Sequence, residues 1–216
     1  MNHCKTILAS LVAAVLLAGC GGPAPSVAAP TLGALVQPTI ATAAPAASTQ
    51  VASANSGCST SAGLTPAVTE GPYFKAGSPE RASLLAPGMA GTQLVLVGFV
   101  FTPDCKPAAG ALLDFWQADA QGNYDNSGYT LRGHQFADAA GRYQLTTVVP
   151  GLYPGRTEHI HVKVQAPNGP LLTTQLFFPG VTGNVSDSFY DARLLLNVQN
   201  TSNGLAATFN FVVSAQ

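Results

Sequence analysis

Residues 142–165 of this 216-residue chain read RYQLTTVVPGLYPGRTEHIHVKVQ, two apolar runs separated by a turn with two prolines and two glycines. The flanking runs, 142–149 and 159–165, are rich in Val, Leu, Ile and Thr, the residue types that favour strands. The turn supplies the glycine and proline chemistry that ends one strand before the next begins. The stretch therefore predicts two consecutive strands of a β-sheet.

The same pattern recurs along the body of the chain, with turn residues between the runs. Further strands are predicted over residues 93–101, 111–117, 171–178, 193–198 and 207–214. No amphipathic helix of convincing length competes with them, and about seven short strands at close spacing predict an all-β fold, an antiparallel β-sandwich. A body of roughly 150 residues is the usual size of one domain.

The N-terminal residues differ in composition from this body. Residues 1–19 hold Lys5 in a polar start, then an apolar run and small residues, which predicts a bacterial export signal. The ending LAGC resembles a lipobox, so we expect an acylated Cys20 that anchors the protein in the cell envelope, with Gly21 favouring the outer membrane. An ordinary secreted protein is the alternative. Residues 20–57 are rich in Ala, Pro and Ser, which predicts a disordered tether. The folded domain is then expected over residues 58–216.

Cysteine count and net charge limit the environment and the partners. Cys58 and Cys105 are the two cysteines of the mature body, and an exported protein meets an oxidising compartment, so we expect a disulfide between them; two free thiols are the alternative. The formal net charge is −1 and no basic cluster occurs, which argues against a nucleic-acid partner. The oligomeric state is left open.

His159 and His161 stand two residues apart on a predicted strand, so both imidazoles project from one face while Ile160 projects from the other. Such a pair can offer two neutral nitrogen ligands to one metal. Tyr153 and Arg156 lie in the preceding turn, and a phenolate is a hard anionic ligand that suits Fe(III) better than zinc. Taken singly, these residues also fit a hydrogen-bonded histidine pair, a packed aromatic and a surface charge.

The segment GLYPGRTEHIH, residues 151–161, resembles the iron-binding signature of the intradiol ring-cleavage dioxygenases. Other segments resemble that family in the same order: residues 70–74 (EGPYF), 96–100 (LVGFV) with 110–124 (GALLDFWQADAQGNY), 136–143 (FADAAGRY) and 172–180 (LTTQLFFPG). Several ordered motifs are more specific than one. The resemblance covers residues 69–182.

The resemblance implies a β-sandwich enzyme that uses a ferric ion and no organic cofactor. The family's ligands correspond to Tyr124, Tyr153, His159 and His161, its charge-stabilising arginine to Arg156 and its pocket glutamine to Gln175. Tyr153 is expected also to carry protons away from the substrate. The implied reaction cleaves a small catechol-type aromatic diol with O2 to a muconate-type diacid. Tyr129 and Tyr143 are expected to be packing or pocket-lining residues.

Two other functions are weighed against this one. A non-catalytic, lipid-anchored β-sandwich binding module has no reason to keep four ligands together with Arg156. A zinc hydrolase using the histidine pair lacks a third ligand, because His134 is distant in sequence and Glu158 is expected on the opposite face. The short interval between Tyr124 and Tyr153 predicts a more open pocket. The diol is then either larger than catechol or protocatechuate, or of a kind that the sequence does not identify.

Overall fold

The computed structural model describes residues 57–59, 61 and 63–215. The predicted export signal, Cys20 and nearly all of the predicted tether lie outside the described residues. The strands are β1 Gln93–Phe101, β2 Leu112–Trp116, β3 Arg132–Phe136, β4 Arg142–Val148, β5 His159–Gln165, β6 Leu172–Phe177, β7 Asn197–Thr201, β8 Gly204–Thr208 and β9 Phe211–Val212. Two 3-10 helices, Thr182–Ser186 and Ala192–Leu194, lie between β6 and β7. No helix in this part of the chain has the length and apolar character needed to cross a membrane.

The strands form two sheets, which confirms the predicted sandwich. One sheet has the order β3-β2-β5-β6 and is antiparallel throughout. The other has the order β4-β1-β8-β7, with β9 also paired to β1. In this second sheet β1 pairs in parallel with β8 and β9, while its pairing with β4 is antiparallel.

Alternate residues of both sheets fill one core between them. Leu94 and Leu96 of β1 and Leu145 of β4 pack in the same buried cluster as Ile160 and Val162 of β5. Each is fully buried, and such a side chain contributes roughly 1.5–3 kcal/mol relative to an exposed one. Because side chains alternate along a strand, the other face of β5 projects away from this core. The outer face of the four-stranded sheet therefore carries the histidine pair.

The predicted strand over 193–198 is wrong in its first four residues. The side chain of Asp191 accepts a hydrogen bond from the backbone N–H of Arg193, which favours a tight turn, and the 3-10 helix Ala192–Leu194 follows. The strand starts only at Asn197. A local side-chain cap thus outweighs the β-propensity of the run.

The predicted strand over 207–214 is divided into β8 and β9. Between them Asn210 accepts a hydrogen bond from the backbone N–H of Phe99, which interrupts the pairing with β1.

β3 is an addition to the predicted strands. Its sequence RGHQF is mostly polar, so its pairing with β2 holds it in the sheet against weak propensity.

The predicted disulfide between Cys58 and Cys105 is confirmed, with the Cα atoms 5.7 Å apart. The chain that follows Cys58 runs along the sandwich: the backbone N–H of Thr65 donates to Val212 and that of Val68 donates to Thr173. This path brings residues 69–74 to the outer face of the four-stranded sheet, beside the histidine pair.

Candidate active site

The two histidines of β5 are buried and face each other through their Nε2 atoms, which lie 3.1 Å apart. His159 is oriented by the carbonyl of Thr157, which lies 2.6 Å from its Nδ1. With the proton on Nδ1, the lone pair of Nε2 points toward His161, the arrangement found for metal-binding histidines whose other nitrogen is anchored. The two histidines predicted from the sequence therefore direct their Nε2 atoms at one common position, the focus of the site.

Tyr153 joins this focus from the turn between β4 and β5. Its hydroxyl lies 3.4 Å from Nε2 of His159. The turn closes with a hydrogen bond from the backbone N–H of Arg156 to the carbonyl of Tyr153, and Gly155 adopts a φ of 78° within it. The turn thus directs the side chains of Tyr153 and Arg156 toward β5.

Tyr124 comes from the loop after β2, and its ring centroid lies 5.6 Å from that of Tyr153 and 6.3 Å from that of His161. The two tyrosine-bearing loops dock through glycines. A Cβ on Gly122 would lie 2.0 Å from the carbonyl oxygen of Leu152, so only glycine permits this approach. The four predicted ligands are thereby brought together by one strand and two docked loops.

Arg156 is held by three partners. Its Nε donates to Asp187 at 2.9 Å, one terminal nitrogen donates to the hydroxyl of Tyr153 at 3.0 Å, and the other donates to Gln175. Gln175 is fully buried and its own amide donates to the carbonyl of Thr69. A planar guanidinium with every edge occupied is fixed in orientation as well as in charge.

Aromatic side chains cover the histidine pair. Trp116 stacks on His161 with the centroids 4.8 Å apart and the planes 9° apart. Tyr73 stacks on Tyr124 at 4.4 Å. Gly71 lies against the same imidazole, because a Cβ there would be 3.5 Å from Cε1 of His161. These contacts limit water access to the focus of the site.

The pKa values of the ring groups follow from this burial. Burial, and then the charge of Arg156, lowers the pKa of His159 to about 4. Burial and the neighbouring His159 likewise hold the pKa of His161 well below its ordinary value, so both imidazoles are neutral at pH 7. Burial and the nearby Tyr153 phenol raise the pKa of Tyr124. In the protein alone Tyr124 is therefore a neutral phenol.

The donor set fits a metal ion that accepts oxygen and nitrogen ligands. The hydroxyl of Tyr124 and Nδ1 of His161 are buried without a hydrogen-bond partner in the described part of the chain. A buried polar atom without a partner carries a free-energy cost, and for Tyr124 a cation would remove that cost by binding the phenolate. Over residues 57–59, 61 and 63–215 no group of three or more His, Cys, Asp or Glu residues is placed to hold a metal. The side-chain oxygens beside the histidine pair are those of the Tyr124 and Tyr153 phenols.

Comparison with known proteins agrees with this geometry. A family model described as Dioxygenase matches residues 69–215. An intradiol ring-cleavage dioxygenase from Tetranychus urticae superimposes with a TM-score of 0.64 at 25% identity, over 70% of this chain and 94% of that one. The chain belongs to the intradiol ring-cleavage dioxygenase family.

Further dioxygenases are similar to this chain. The dioxygenase domain of a dioxygenase–carbohydrate-binding protein fusion from Streptomyces sp. SirexAA-E shares 52% identity, with a TM-score of 0.70 over 71% of this chain and all of that one. Catechol 1,2-dioxygenase 2 of Acinetobacter lwoffii is 36% identical over 55% of this chain and 52% of its own length. The 6-chlorohydroxyquinol 1,2-dioxygenase of Cupriavidus pinatubonensis is 29% identical over 70% of this chain and 65% of its own. The chain thus spans about half to two thirds of the curated relatives it matches.

Tyr129, Tyr143 and His134 lie in different environments from the four predicted ligands. Tyr143 is buried in the core and its hydroxyl donates to the carbonyl of Phe209, while Tyr129 donates to the carbonyl of Ala76. His134 on β3 contacts Ser78 through Nδ1. Tyr143 is therefore a packing residue, as one of the two expected alternatives had it, while Tyr129 is partly exposed.

Three residues of the candidate site are not marked by the sequence pattern as site residues. Asp187, which accepts from Arg156 and from the backbone N–H of Thr157, follows Arg156 by 31 residues in a segment without periodic pattern. Tyr73 and Trp116 both stand inside the family-like segments, so their presence near the site could have been anticipated. Their stacking on Tyr124 and His161 could not.

Proposed function

We propose that this protein is a non-haem, Fe(III)-dependent intradiol dioxygenase that cleaves a catechol-type aromatic diol with O2 to a muconate-type diacid. The observation that carries the proposal is the convergence of two neutral imidazoles and two phenols at one buried focus. Catechol, chlorocatechol and 6-chlorohydroxyquinol dioxygenases among the relatives support a substrate of the same chemical class.

Tyr124, Tyr153, His159 and His161 would hold the iron, as phenolate and imidazole ligands. Ferric iron, when bound, supplies a Lewis acid that coordinates the oxygens of a diol and accepts electron density from its ring. The neutral state of both histidines at pH 7 favours this role, because a protonated imidazole cannot bind a cation.

Arg156 would stabilise negative charge that develops on the bound diol. Its guanidinium is oriented before the substrate arrives, since Asp187 and Gln175 hold two of its edges. A fixed cation at a site sheltered from water stabilises charge without reorganising during the reaction. In this account Gln175 acts by positioning Arg156.

Tyr153, present as the phenolate when it holds the iron, would receive one proton from the diol and become the neutral phenol. Its hydroxyl oxygen accepts a hydrogen bond from Arg156, so the same cation stabilises negative charge on this oxygen. Its turn is partly exposed, which gives the proton a path to solvent. Tyr124, whose hydroxyl is fully buried, has no such path.

The test is a reaction of iron-loaded protein with catechol under ¹⁸O2, with the product analysed by mass spectrometry. The expected product is a ring-opened diacid that carries both labelled oxygen atoms. Arg156→Ala should keep iron and lose turnover by about 10²–10³, the scale of one preorganised electrostatic group. If iron-loaded protein consumes no O2 with any ortho-diol, the proposed activity is wrong.

We also propose that the protein is exported and anchored through an acylated Cys20, in a periplasmic or surface-facing position. The LAGC ending of the apolar N-terminal run supports this proposal. The Cys58–Cys105 disulfide supports export, because disulfides persist in oxidising compartments.

A further inference from the structure

A groove of about 680 Å³ opens beside the candidate active site and shares Tyr153 and Arg156 with it. It lies between the turn at residues 152–156 and the 3-10 helix Thr182–Ser186 with the following Asp187. Pockets of roughly 300–1,000 Å³ accommodate molecules of several rings. A one-ring diol held at Tyr153 and Arg156 therefore leaves most of the groove unfilled.

Two large exposed apolar side chains lie near Arg156. Leu152 lines the groove and is 57% exposed. Phe189 is 41% exposed, and its ring lies 4.8 Å from the guanidinium of Arg156, which also lines the groove. Single exposed apolar residues are ordinary, but two near a candidate catalytic arginine offer apolar surface next to the reacting position. That surface suits an apolar part of a substrate.

The charge of the groove disfavours a second anionic group. Of the residues that line it, Arg156 is the one cation, and Asp187 already pairs with it at 2.9 Å. Asp187 is buried and also accepts from the backbone N–H groups of Thr157 and Phe189. A carboxylate on the substrate would therefore find no second cation among the residues that line the groove.

We propose that the preferred substrate is a vicinal aromatic diol that carries a second, uncharged aromatic ring, which lies against Leu152 and Phe189. This inference rests on the proposed dioxygenase function and names the substrate class of the same site. It also explains why the loops around Tyr153 leave space that catechol alone does not need.

The test compares catechol, 4-phenylcatechol and protocatechuate on iron-loaded protein, by kcat/KM and by calorimetric Kd without oxygen. Partial burial of one phenyl ring predicts that 4-phenylcatechol exceeds catechol by about tenfold in both quantities. Protocatechuate should be the weakest of the three. Leu152→Ser should remove much of the 4-phenylcatechol advantage over catechol. Leu171→Ser replaces a similarly exposed leucine just before β6 and should leave that advantage unchanged.

The outcomes separate this inference from the proposed function. Catechol cleavage with no preference for 4-phenylcatechol, or a preference for protocatechuate, would overturn the substrate class and leave ring cleavage standing. A second outcome is that 4-phenylcatechol binds tenfold more tightly than catechol, that Leu152→Ser abolishes this difference, and that no diol is cleaved. It would support binding of the second ring in the groove and overturn the dioxygenase function. If no diol is bound and none is cleaved, both the substrate class and the dioxygenase function are wrong.

Discussion

Replacing Asp187 with asparagine should destabilise the domain and weaken the hold on Arg156. One carboxylate oxygen accepts from Nε of Arg156 and from the backbone N–H of Thr157, and the other accepts from the backbone N–H of Phe189. Asparagine has one acceptor oxygen and no charge. If that oxygen keeps the arginine side, the amide nitrogen faces the N–H of Phe189 and leaves it unpaired.

The magnitude follows from these contacts. The Asp187 side chain is 1% exposed and that of Arg156 is 11% exposed, so water screens the pair poorly. Losing a charged hydrogen bond costs roughly 1.5–3 kcal/mol, and leaving a buried N–H unpaired costs a further 1–3 kcal/mol. We expect a loss of about 3 kcal/mol in the free energy of unfolding. For a domain of this size that lowers the Tm by roughly 6–12 °C.

The assay is urea unfolding at pH 7, with Asp191→Asn as the matched control. Asp191 pairs with Arg193 at the surface, where the arginine side chain is 70% exposed, so the control should unfold like the wild type. If Asp187→Asn unfolds at the same urea concentration as this control, the buried pair does not stabilise the site.

The same comparison has a pH dependence with a definite sign. Burial raises the pKa of Asp187, but the N–H groups of Thr157 and Phe189 and the guanidinium of Arg156 together lower it below its ordinary value of 3.8. A lowered pKa stabilises the folded state above 3.8, and that contribution is lost as the pH falls through the folded-state value. The stability gap between wild type and Asp187→Asn should therefore be full at pH 7 and shrink below pH 4. A gap that stays constant down to pH 2 would contradict this.

Three further predictions concern the loops, the disulfide and the anchor. Gly122→Ala should cost more than about 2 kcal/mol of unfolding free energy, because its Cβ would lie 2.0 Å from a carbonyl oxygen. Gly155→Ala has open space around its Cβ and should cost about 1–2 kcal/mol from its positive φ alone. Equal losses of unfolding free energy in urea would refute the docking of the two loops. Replacing Cys58 and Cys105 together by serine should remove about 4 kcal/mol, because the bridge closes a loop of 47 residues, and an unchanged urea midpoint would exclude that constraint. Cys20→Ser should release the protein from the membrane fraction, and unchanged fractionation would exclude the lipid anchor.

Much of the site could be predicted from β5 and its preceding turn. The two-residue spacing places His159 and His161 on one face of any strand, whatever its neighbours. The roles of Tyr124 and Tyr153 came from the family resemblance, because their spacing alone does not specify contact with the histidines. Docking of the two loops at Gly122 supplies that contact.

The remaining features depend on tertiary contacts that leave no local pattern. Asp187 reaches Arg156 from a segment 31 residues later, where neither alternation nor helical period marks it. β3 has a mostly polar sequence and is held in the sheet by β2. The tight turn at Asp191 depends on a side-chain cap that β-propensity does not register. The groove with Leu152 and Phe189 likewise appears only when separate loops come together.

The most direct test of the account is titration of metal-free protein with ferric iron while the visible absorption is recorded. Tyrosinate bound to Fe(III) gives a charge-transfer band, so a band should grow and saturate at equimolar iron. It should shift or weaken in Tyr124→Phe and in Tyr153→Phe, and vanish when both His159 and His161 are replaced by alanine. Tyr129→Phe, which removes a tyrosine outside the site, should keep the full band. An unchanged band in both site phenylalanine variants, or no band at all in the wild type, would contradict the assignment of Tyr124, Tyr153, His159 and His161 as iron ligands.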